Sequence, residues 1–138
     1  MDANSVGTQL PDRFGQILLG ELISANMNST ADQQIVIFSA PAKYIIRRIV
    51  VTNASISLTT AVGGIYPQVS KGGTAIVANS QVYSSLNATT KFIDLTIASG
   101  YTSGGSILTA KSIYLSLTTP QGAAATADVY VYGDIVTL

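Results

Sequence analysis

The chain contains no cysteine, no histidine and no tryptophan. Without cysteine and histidine it cannot form a Cys/His zinc site, a thiol nucleophile, a redox-active pair or a histidine-dependent catalytic triad. Charged residues are also scarce, because Asp, Glu, Lys and Arg make up 10% of the 138 residues, against about 25% in a typical soluble domain. These absences exclude most conventional active-site chemistry and direct attention to the surface of the protein.

The few charges balance one another. Seven basic and seven acidic side chains give a formal net charge of zero, so the chain lacks the basic excess that binds nucleic-acid phosphates. Proteins that are free in solution usually keep their net charge away from zero. The composition therefore indicates either an exterior that contacts other protein or a surface solvated by hydroxyl groups, since Ser and Thr supply 30 residues.

The first residues, MDANSVGTQLPDRFG, lack the basic segment followed by an apolar segment that marks a secretory signal. No apolar run approaches the roughly 20 residues that cross a bilayer. We therefore expect synthesis in the host cytoplasm without a signal peptide, and no membrane partner. Residues 1–16 are polar and interrupted by Gly7, Pro11 and Gly15, which predicts an extended N-terminal arm. Residues 17–138 are sufficient for one domain with its own core.

From residue 17 onward, short β-branched and apolar runs alternate with segments rich in Asn, Ser, Gly and Pro, as is typical of strands joined by turns. Strands are predicted at residues 17–25, 34–38, 44–52, 57–66, 74–78, 91–97, 112–118 and 128–138. This number of strands without intervening helices predicts an all-β antiparallel sandwich, with a jelly roll favoured over an immunoglobulin-like arrangement. The stretch Thr119-Pro120-Gln121-Gly122 predicts a turn that joins the last two strands as a hairpin.

Candidate catalytic residues are few. Carboxylate catalysis of the glycosidase type needs two acids that face each other across a cleft, and the acids in or beside predicted strands are Asp94, Asp128 and Asp134. The glycine cluster GGIYPQVSKGGT (63–74) has its lysine before the glycines, so it lacks the P-loop order and predicts a loop with left-handed glycines. We expect no enzyme activity, no catalytic residue, no metal and no cofactor.

Two arginines lie side by side in the third predicted strand, KYIIRRIVVT. Neighbouring strand residues point to opposite faces unless the chain bulges between them. Regular alternation places Arg47 on the better core face and Arg48 on the outer face with Tyr44 and Ile46. Arg47 must then reach the rim of the core or pair with an acid such as Asp94, because an unpaired buried charge costs several kcal/mol.

Both faces of this strand are largely apolar, so alternation predicts that both are covered, the outer one by the arm, a loop or another subunit. Tyr130 and Tyr132 share one face of the last strand as core residues, as anchors of a protein interface or as a platform for stacking sugars. The candidates for a protein interface are Tyr44, Ile46, Arg48, Tyr130, Tyr132 and, in the arm, Arg13 and Phe14.

Four stretches resemble a known family: KYIIRRIVVTNAS, GGIYPQVSKGGTAIVANSQVYSSL, KFIDLTI and SIYLSLTTPQGAAATADVYVYGD. In strand order and loop character, Lys43–Leu138 resembles the small jelly-roll cement (decoration) proteins of tailed bacteriophages, of the Bordetella-phage type. The resemblance implies a non-enzymatic virion protein that binds the outer surface of the capsid and bridges neighbouring major capsid protein subunits. We expect the major capsid protein and further copies of the chain, as a dimer or trimer, to be its partners.

Two other functions stay open on the sequence. A carbohydrate-binding jelly-roll module of a phage particle, lectin-like or receptor-binding, would use exposed tyrosines together with Asn or Asp side chains. A glycoside-acting enzyme would need two of the three acids to converge in a groove. The position of Tyr130 and Tyr132 and the separation of the acids distinguish these functions from a capsid-binding role.

Overall fold

The computed structural model of the protein describes residues 17–38 and 43–136, so the predicted arm, with Arg13 and Phe14, lies outside the described residues. In these two ranges the strands are β1 (Ile17–Asn26), β2 (Gln33–Val36), β3 (Lys43–Thr52), β4 (Val62–Tyr66), β5 (Phe92–Asp94), β6 (Ser112–Thr119) and β7 (Thr126–Val136). A turn of 3₁₀ helix at Ser99–Tyr101 lies between β5 and β6.

The strands form two antiparallel sheets. The first sheet has the order β1-β7-β3-β5 and the second has the order β2-β6-β4. Odd-numbered strands lie in the first sheet and even-numbered strands in the second, so each connection between successive strands crosses from one sheet to the other. The long β4–β5 connection adds a further pairing to the second sheet, where Val77 bridges Ile65 of β4. This wrapped sandwich is a jelly roll, and it confirms the predicted fold class.

Some predicted strands are shorter or differently connected. The predicted strands 57–66 and 91–97 contract to β4 and β5, and 74–78 forms isolated bridges through Val77 in place of a regular strand. The predicted hairpin between the last two strands is wrong, because β6 and β7 belong to different sheets. The chain crosses between the sheets there, and the Gln121 side chain accepts hydrogen bonds from the N–H groups of Thr60 and Ala61, both at 3.0 Å.

The core lies between the two sheets and is almost wholly apolar. The largest of its fully buried side chains are Leu19, Met27, Ile35, Ile37, Tyr44, Ile49, Leu58, Ile65, Ile76, Tyr83, Leu86 and Ile113. Burying an aliphatic side chain of this size contributes roughly 1.5–3 kcal/mol. The buried phenols are hydrogen bonded, since Tyr44 donates to the carbonyl oxygen of Ala110 at 2.6 Å and Tyr83 donates to that of Gly63 at 3.1 Å. Burial raises the pKa of both tyrosines.

A β-bulge interrupts β3 at the arginine pair. Against β7, Ile46 pairs with Gly133 and Arg48 pairs with Tyr132, so the extra residue in β3 is Arg47. A bulge of this kind puts two residues opposite one and shifts the side-chain alternation by one position. Both arginines consequently point to the outer face, where each is exposed.

The bulge overturns two expectations about β3. Before it, Tyr44 and Ile46 face the core with 1% and 3% of their surface exposed, and after it the core residues are Ile49 and Val51, both 0% exposed. The expected outer positions of Tyr44 and Ile46 are therefore wrong. Even-numbered residues of β3 face the core before the bulge and odd-numbered residues face it after the bulge, so regular alternation makes both faces look apolar. The apolar composition of β3 therefore does not require that its outer face be covered.

Candidate functional site

The outer face of the first sheet carries most of the polar and aromatic residues that the sequence singles out. Tyr130 and Tyr132 alternate along β7 with the fully buried Val129 and Val131, so both tyrosines lie on this outer face, half-buried. We name the centre of the face the tyrosine face. Its residues are Leu18, Glu21, Ile45, Arg47, Arg48, Val50, Phe92, Asp94, Tyr130, Tyr132 and Asp134.

The two tyrosines occupy the middle of the tyrosine face. Each has one apolar and one charged cross-strand neighbour: Leu18 and Arg48 flank Tyr132, and Val50 and Glu21 flank Tyr130. Desolvation raises the pKa of Tyr130, with smaller contributions from the negative charges of Asp128 and Glu21 and from the neighbouring Tyr132. The phenol of Tyr130 is therefore a hydrogen-bond donor throughout the neutral pH range.

Both arginines of the bulge are in ion pairs on this face. The Arg47 Nε donates to the Asp134 Oδ2 at 2.7 Å. The Arg48 Nε donates to the Asp94 Oδ1, and its Nη2 lies 3.4 Å from the Asp94 Oδ2. The sequence correctly identifies Arg47 and Asp94 as ion-pair residues, but the predicted pairing of these two with each other is wrong, because the bulge brings Arg48 to Asp94.

The Arg48 guanidinium has an aromatic neighbour as well as a carboxylate. Its central carbon lies 5.9 Å from the centroid of the Phe92 ring, within the range of a cation–π interaction. The hydrogen bond to Asp94 raises the pKa of Arg48, which is charged at every pH at which the protein is folded. Phe92 itself is 59% exposed and adds apolar area at the β5 edge of the face. No pattern in the sequence indicated this contact.

Asp128, the third candidate acid, has a structural environment. Its carboxylate is 8% exposed and accepts a hydrogen bond from the backbone N–H of Ser24 at 2.8 Å and another from the Asn53 Nδ2 at 3.0 Å. Each of the three candidate acids thus has its own hydrogen-bond donors. Asp94 is bonded to Arg48 and Asp134 to Arg47. Asp128 is bonded to Ser24 and Asn53. The three acids do not converge on a cleft.

The outer face of the second sheet differs, because the β4–β5 connection covers part of it. In this connection Ser70 and Lys71 have positive φ values of 57° and 55°, and Gly73 has a φ of 76°. The Lys71 Nζ donates to the Oγ of Ser116 on β6 at 2.9 Å, and the Ser70 N–H donates to the Asp32 carboxylate at 2.7 Å. These contacts fasten the loop onto the sheet.

The Lys71–Ser116 contact also brings together two residue types that form catalytic dyads in some hydrolases. Ser116 is 0% exposed beneath the loop, so its hydroxyl is closed to a substrate. The pKa of Asp32 is lowered, first by the Ser70 N–H, then by the Ser116 hydroxyl and by the positive charge of Lys71. The polar contacts among Asp32, Ser70, Lys71 and Ser116 therefore hold the loop against the second sheet. They explain why Ser70 and Lys71 adopt backbone conformations that usually favour glycine.

The surface has two shallow hollows, one of which borders the tyrosine face. One, of about 250 Å³, is lined by Ile45, Arg47 and residues 101–107, and the other, of about 350 Å³, lies between residues 78–82 and 96–98. Neither lining includes a carboxylate. Across residues 17–38 and 43–136, no group of three or more acidic side chains is arranged to hold a metal ion. The same ranges contain no helix long and apolar enough to span a membrane.

Comparison with protein-family models, with curated protein sequences and with solved structures finds no match to this chain. The class of protein is therefore defined by the fold and the site alone. Within residues 17–38 and 43–136, it is a jelly-roll sandwich with one outer face partly covered by its own loop and one outer face, left uncovered by these residues, that carries aromatic, aliphatic and ion-paired side chains.

Proposed function

We propose that the protein is a structural virion protein that binds the outer surface of a tailed-phage capsid and stabilises the shell by bridging neighbouring major capsid protein subunits. The resemblance of Lys43–Leu138 to jelly-roll cement proteins supports this function, and the jelly-roll fold agrees with it. The observation that carries the proposal is the tyrosine face, since Tyr and Arg are enriched at protein interfaces.

The size of the face suits a protein that makes several modest contacts. The 10 residues of β3 extend over about 33 Å, and four strands span about 19 Å, which gives a face of at most about 600 Å². A stable interface buries about 800 Å² on each partner. One face is thus slightly smaller than a typical interface, and on a capsid lattice the repetition of such contacts provides the additional binding strength.

The proposal is tested with phage shells prepared with and without the protein. Electron microscopy should show the protein as density on the outer surface of the shell at the junctions between capsid subunits. Shells that lack it should rupture at lower temperature and under milder osmotic shock, because the bridges that oppose internal pressure are missing. Adding the purified protein back should restore resistance. Equal robustness of bare and decorated shells would contradict the proposal.

A carbohydrate-binding role on a phage particle is the second candidate function. It is favoured by the outward position of Tyr130 and Tyr132 beside the carboxylates of Glu21 and Asp94, since sugars stack on aromatic rings and hydrogen bond to acids. A glycan array distinguishes it from the first function. Binding to a defined glycan that is lost in Tyr130→Ala would support this role, and an array without any bound glycan would remove it.

A further inference from the structure

We propose that the tyrosine face binds an uncharged, largely apolar protein surface, and that its two ion pairs remain closed within the face when the partner docks. The inference rests on the proposed function and deepens it, because it names the chemistry of the capsid surface that the protein meets. It follows from three properties of the face, which are its charge balance, the position of the ion pairs relative to the tyrosines, and the aliphatic residues around them.

The charge balance comes first. Of the five charged residues in the tyrosine face, four are paired within it, as Arg47 with Asp134 and Arg48 with Asp94, which leaves Glu21 on the edge strand β1. A partner that offered a charge at the centre would compete with an existing pair and leave one member desolvated without a counter-ion. Charge complementarity therefore favours a partner surface without charges at the centre of the contact.

The ion pairs also lie directly beside the central tyrosine. Arg48 is the cross-strand neighbour of Tyr132, and Asp134 follows it on the same face of β7 two residues later. Arg48 is held from two sides, by the carboxylate of Asp94 and by the ring of Phe92 at 5.9 Å. We therefore assign the pairs as positioning residues, which restrict the side chains around Tyr132 before binding and so reduce the entropy lost on docking.

The remaining residues define what the partner must offer. Leu18, Ile45 and Val50 are half-buried and Phe92 is exposed, so apolar side chains surround the two tyrosines, while the exposed charged residues Arg47, Arg48 and Asp94 belong to the ion pairs. Apart from Glu21 on the edge strand, the phenols of Tyr130 and Tyr132 are the polar groups of the face that lie outside these pairs. The complementary surface therefore presents aliphatic or aromatic side chains together with hydrogen-bond acceptors, such as backbone carbonyl oxygens, for the hydroxyl groups of Tyr130 and Tyr132.

The experiment measures the affinity of the purified protein for phage shells that lack it, at 50 mM and 500 mM NaCl. For an uncharged contact we expect the Kd to change by less than about threefold across this range, because screening acts on charge attraction between the partners. Tyr130→Ala with Tyr132→Ala should weaken binding by about 30-fold or more, as for central aromatic anchors. Tyr132→Phe, which keeps the ring and the packing, should weaken it by about fivefold through the lost hydrogen bond.

The matched control is Tyr114→Ala. Tyr114 is also half-buried and points outward, between the fully buried Ile113 and Leu115, but it lies on the second sheet. Its removal should leave the Kd within about threefold of the unmodified protein, since the residue is outside the contact. If Tyr114→Ala weakened binding and the tyrosine-face variants did not, the inference would be overturned and the proposed function would stand.

A charge swap tests whether the ion pairs stay closed. Arg48→Asp alone places two acids together and should weaken binding by about tenfold or more, whereas Arg48→Asp combined with Asp94→Arg restores a pair and should recover most of the affinity. A role in folding alone would leave the affinity of the folded single variant unchanged, which would overturn the inference.

Two other outcomes separate this inference from the proposed function. A strong loss of affinity with salt, or association of the free protein into oligomers through the same tyrosines, would overturn the inference by assigning the face to a charged partner or to a second copy of the chain. Failure of the unmodified protein to bind shells at any salt concentration would contradict the proposed function itself.

Discussion

The Asp128 carboxylate is bonded to the backbone of one distant residue, Ser24, and to the side chain of another, Asn53. Ser24 at the second irregularity of β1 and Asn53 just after β3 both have a φ of 56°, in the left-handed region that is unfavourable for residues other than glycine. The Asp128 carboxylate accepts one hydrogen bond from each of them. The bonds offset the conformational cost, which explains why an acid with 8% exposure is present at this position of β7.

We predict that Asp128→Ala lowers the free energy of unfolding by about 1–3 kcal/mol, because it removes two hydrogen bonds to a nearly buried carboxylate. The control is Asp134→Ala, which breaks an exposed ion pair with Arg47 and should cost about 0–1 kcal/mol. Urea denaturation of the two variants beside the unmodified protein measures both values. Equal losses for the two variants would show that the Asp128 bonds do not stabilise these two backbone conformations.

Residue identities predicted the need for ion pairs better than they predicted the partners. The expected partner for Arg47 rested on a buried position, whereas both Arg47 and Asp94 are exposed, and which acid meets which arginine depends on strand register. The signal for the bulge was Gly133, an isolated glycine within a strand pattern. A Cβ at Gly133 would lie 1.9 Å from the carbonyl oxygen of Ile45, so the two strands approach closely there.

At the scale of the strand, the bulge in β3 sets which residues reach the core. A regular strand would carry Tyr44, Ile46, Val50 on one face and Ile49, Val51 on the other. With the extra residue, Tyr44 and Ile46 join Ile49 and Val51 in the core. The composition of the tyrosine face and the core that stabilises the domain therefore depend on the same local irregularity.

Deletion of Arg47 is predicted to be far more damaging than Arg47→Ala. Without the extra residue, either Tyr44 and Ile46 or Ile49 and Val51 must turn outward, at a cost of about 3 kcal/mol or more for two large side chains. The alanine variant keeps the bulge and loses only an exposed ion pair. Thermal melts followed by circular dichroism compare the two. A deletion variant as stable as the alanine variant would mean that the bulge does not determine the core set.

Turn-forming residues predicted where a strand ends, but they did not predict which strand the chain would pair with next. The Pro120-Gln121-Gly122 stretch ends β6 as expected, but the chain passes to the other sheet because β7 pairs with β1 and β3. The four residues of the turn, 119–122, carry no information about which strands β7 will pair with. The pairing of residues 74–78 was equally hard to predict from local sequence. These residues pair through isolated bridges, which depend on the path of the whole β4–β5 connection.

At the scale of the whole molecule, composition and strand number predicted the architecture well. Short apolar runs at regular spacing without helical periodicity leave few compact solutions, and a double-sheet sandwich is the simplest of them. Of the residues predicted as interface candidates, Tyr130, Tyr132 and Arg48 lie on one outer face, whereas Tyr44 and Ile46 belong to the core because alternation alone does not reveal a bulge.

The charge of the molecule should be almost independent of pH around neutrality. The chain has no histidine and no cysteine, and Asp, Glu, Lys, Arg and Tyr ordinarily titrate near 4 or at about 10 and above. In the described ranges, the clear pKa shifts move groups away from neutrality: the pKa of Asp32 is lowered, and those of Arg48, Tyr44, Tyr66, Tyr83, Tyr101 and Tyr130 are raised. These directions widen the pH range over which the charges cancel.

We therefore predict that the net charge changes by no more than about one unit between about pH 6 and pH 9, where only an α-amino group titrates. Electrophoretic mobility of the purified protein should stay near zero across that range, and its affinity for shells should vary by less than about threefold. Ser85→His, at an exposed loop position, is the control, because it introduces a group that titrates near 6.5 and should make the mobility change there. A mobility that changes steadily through pH 7 in the unmodified protein would show that another group titrates at neutrality.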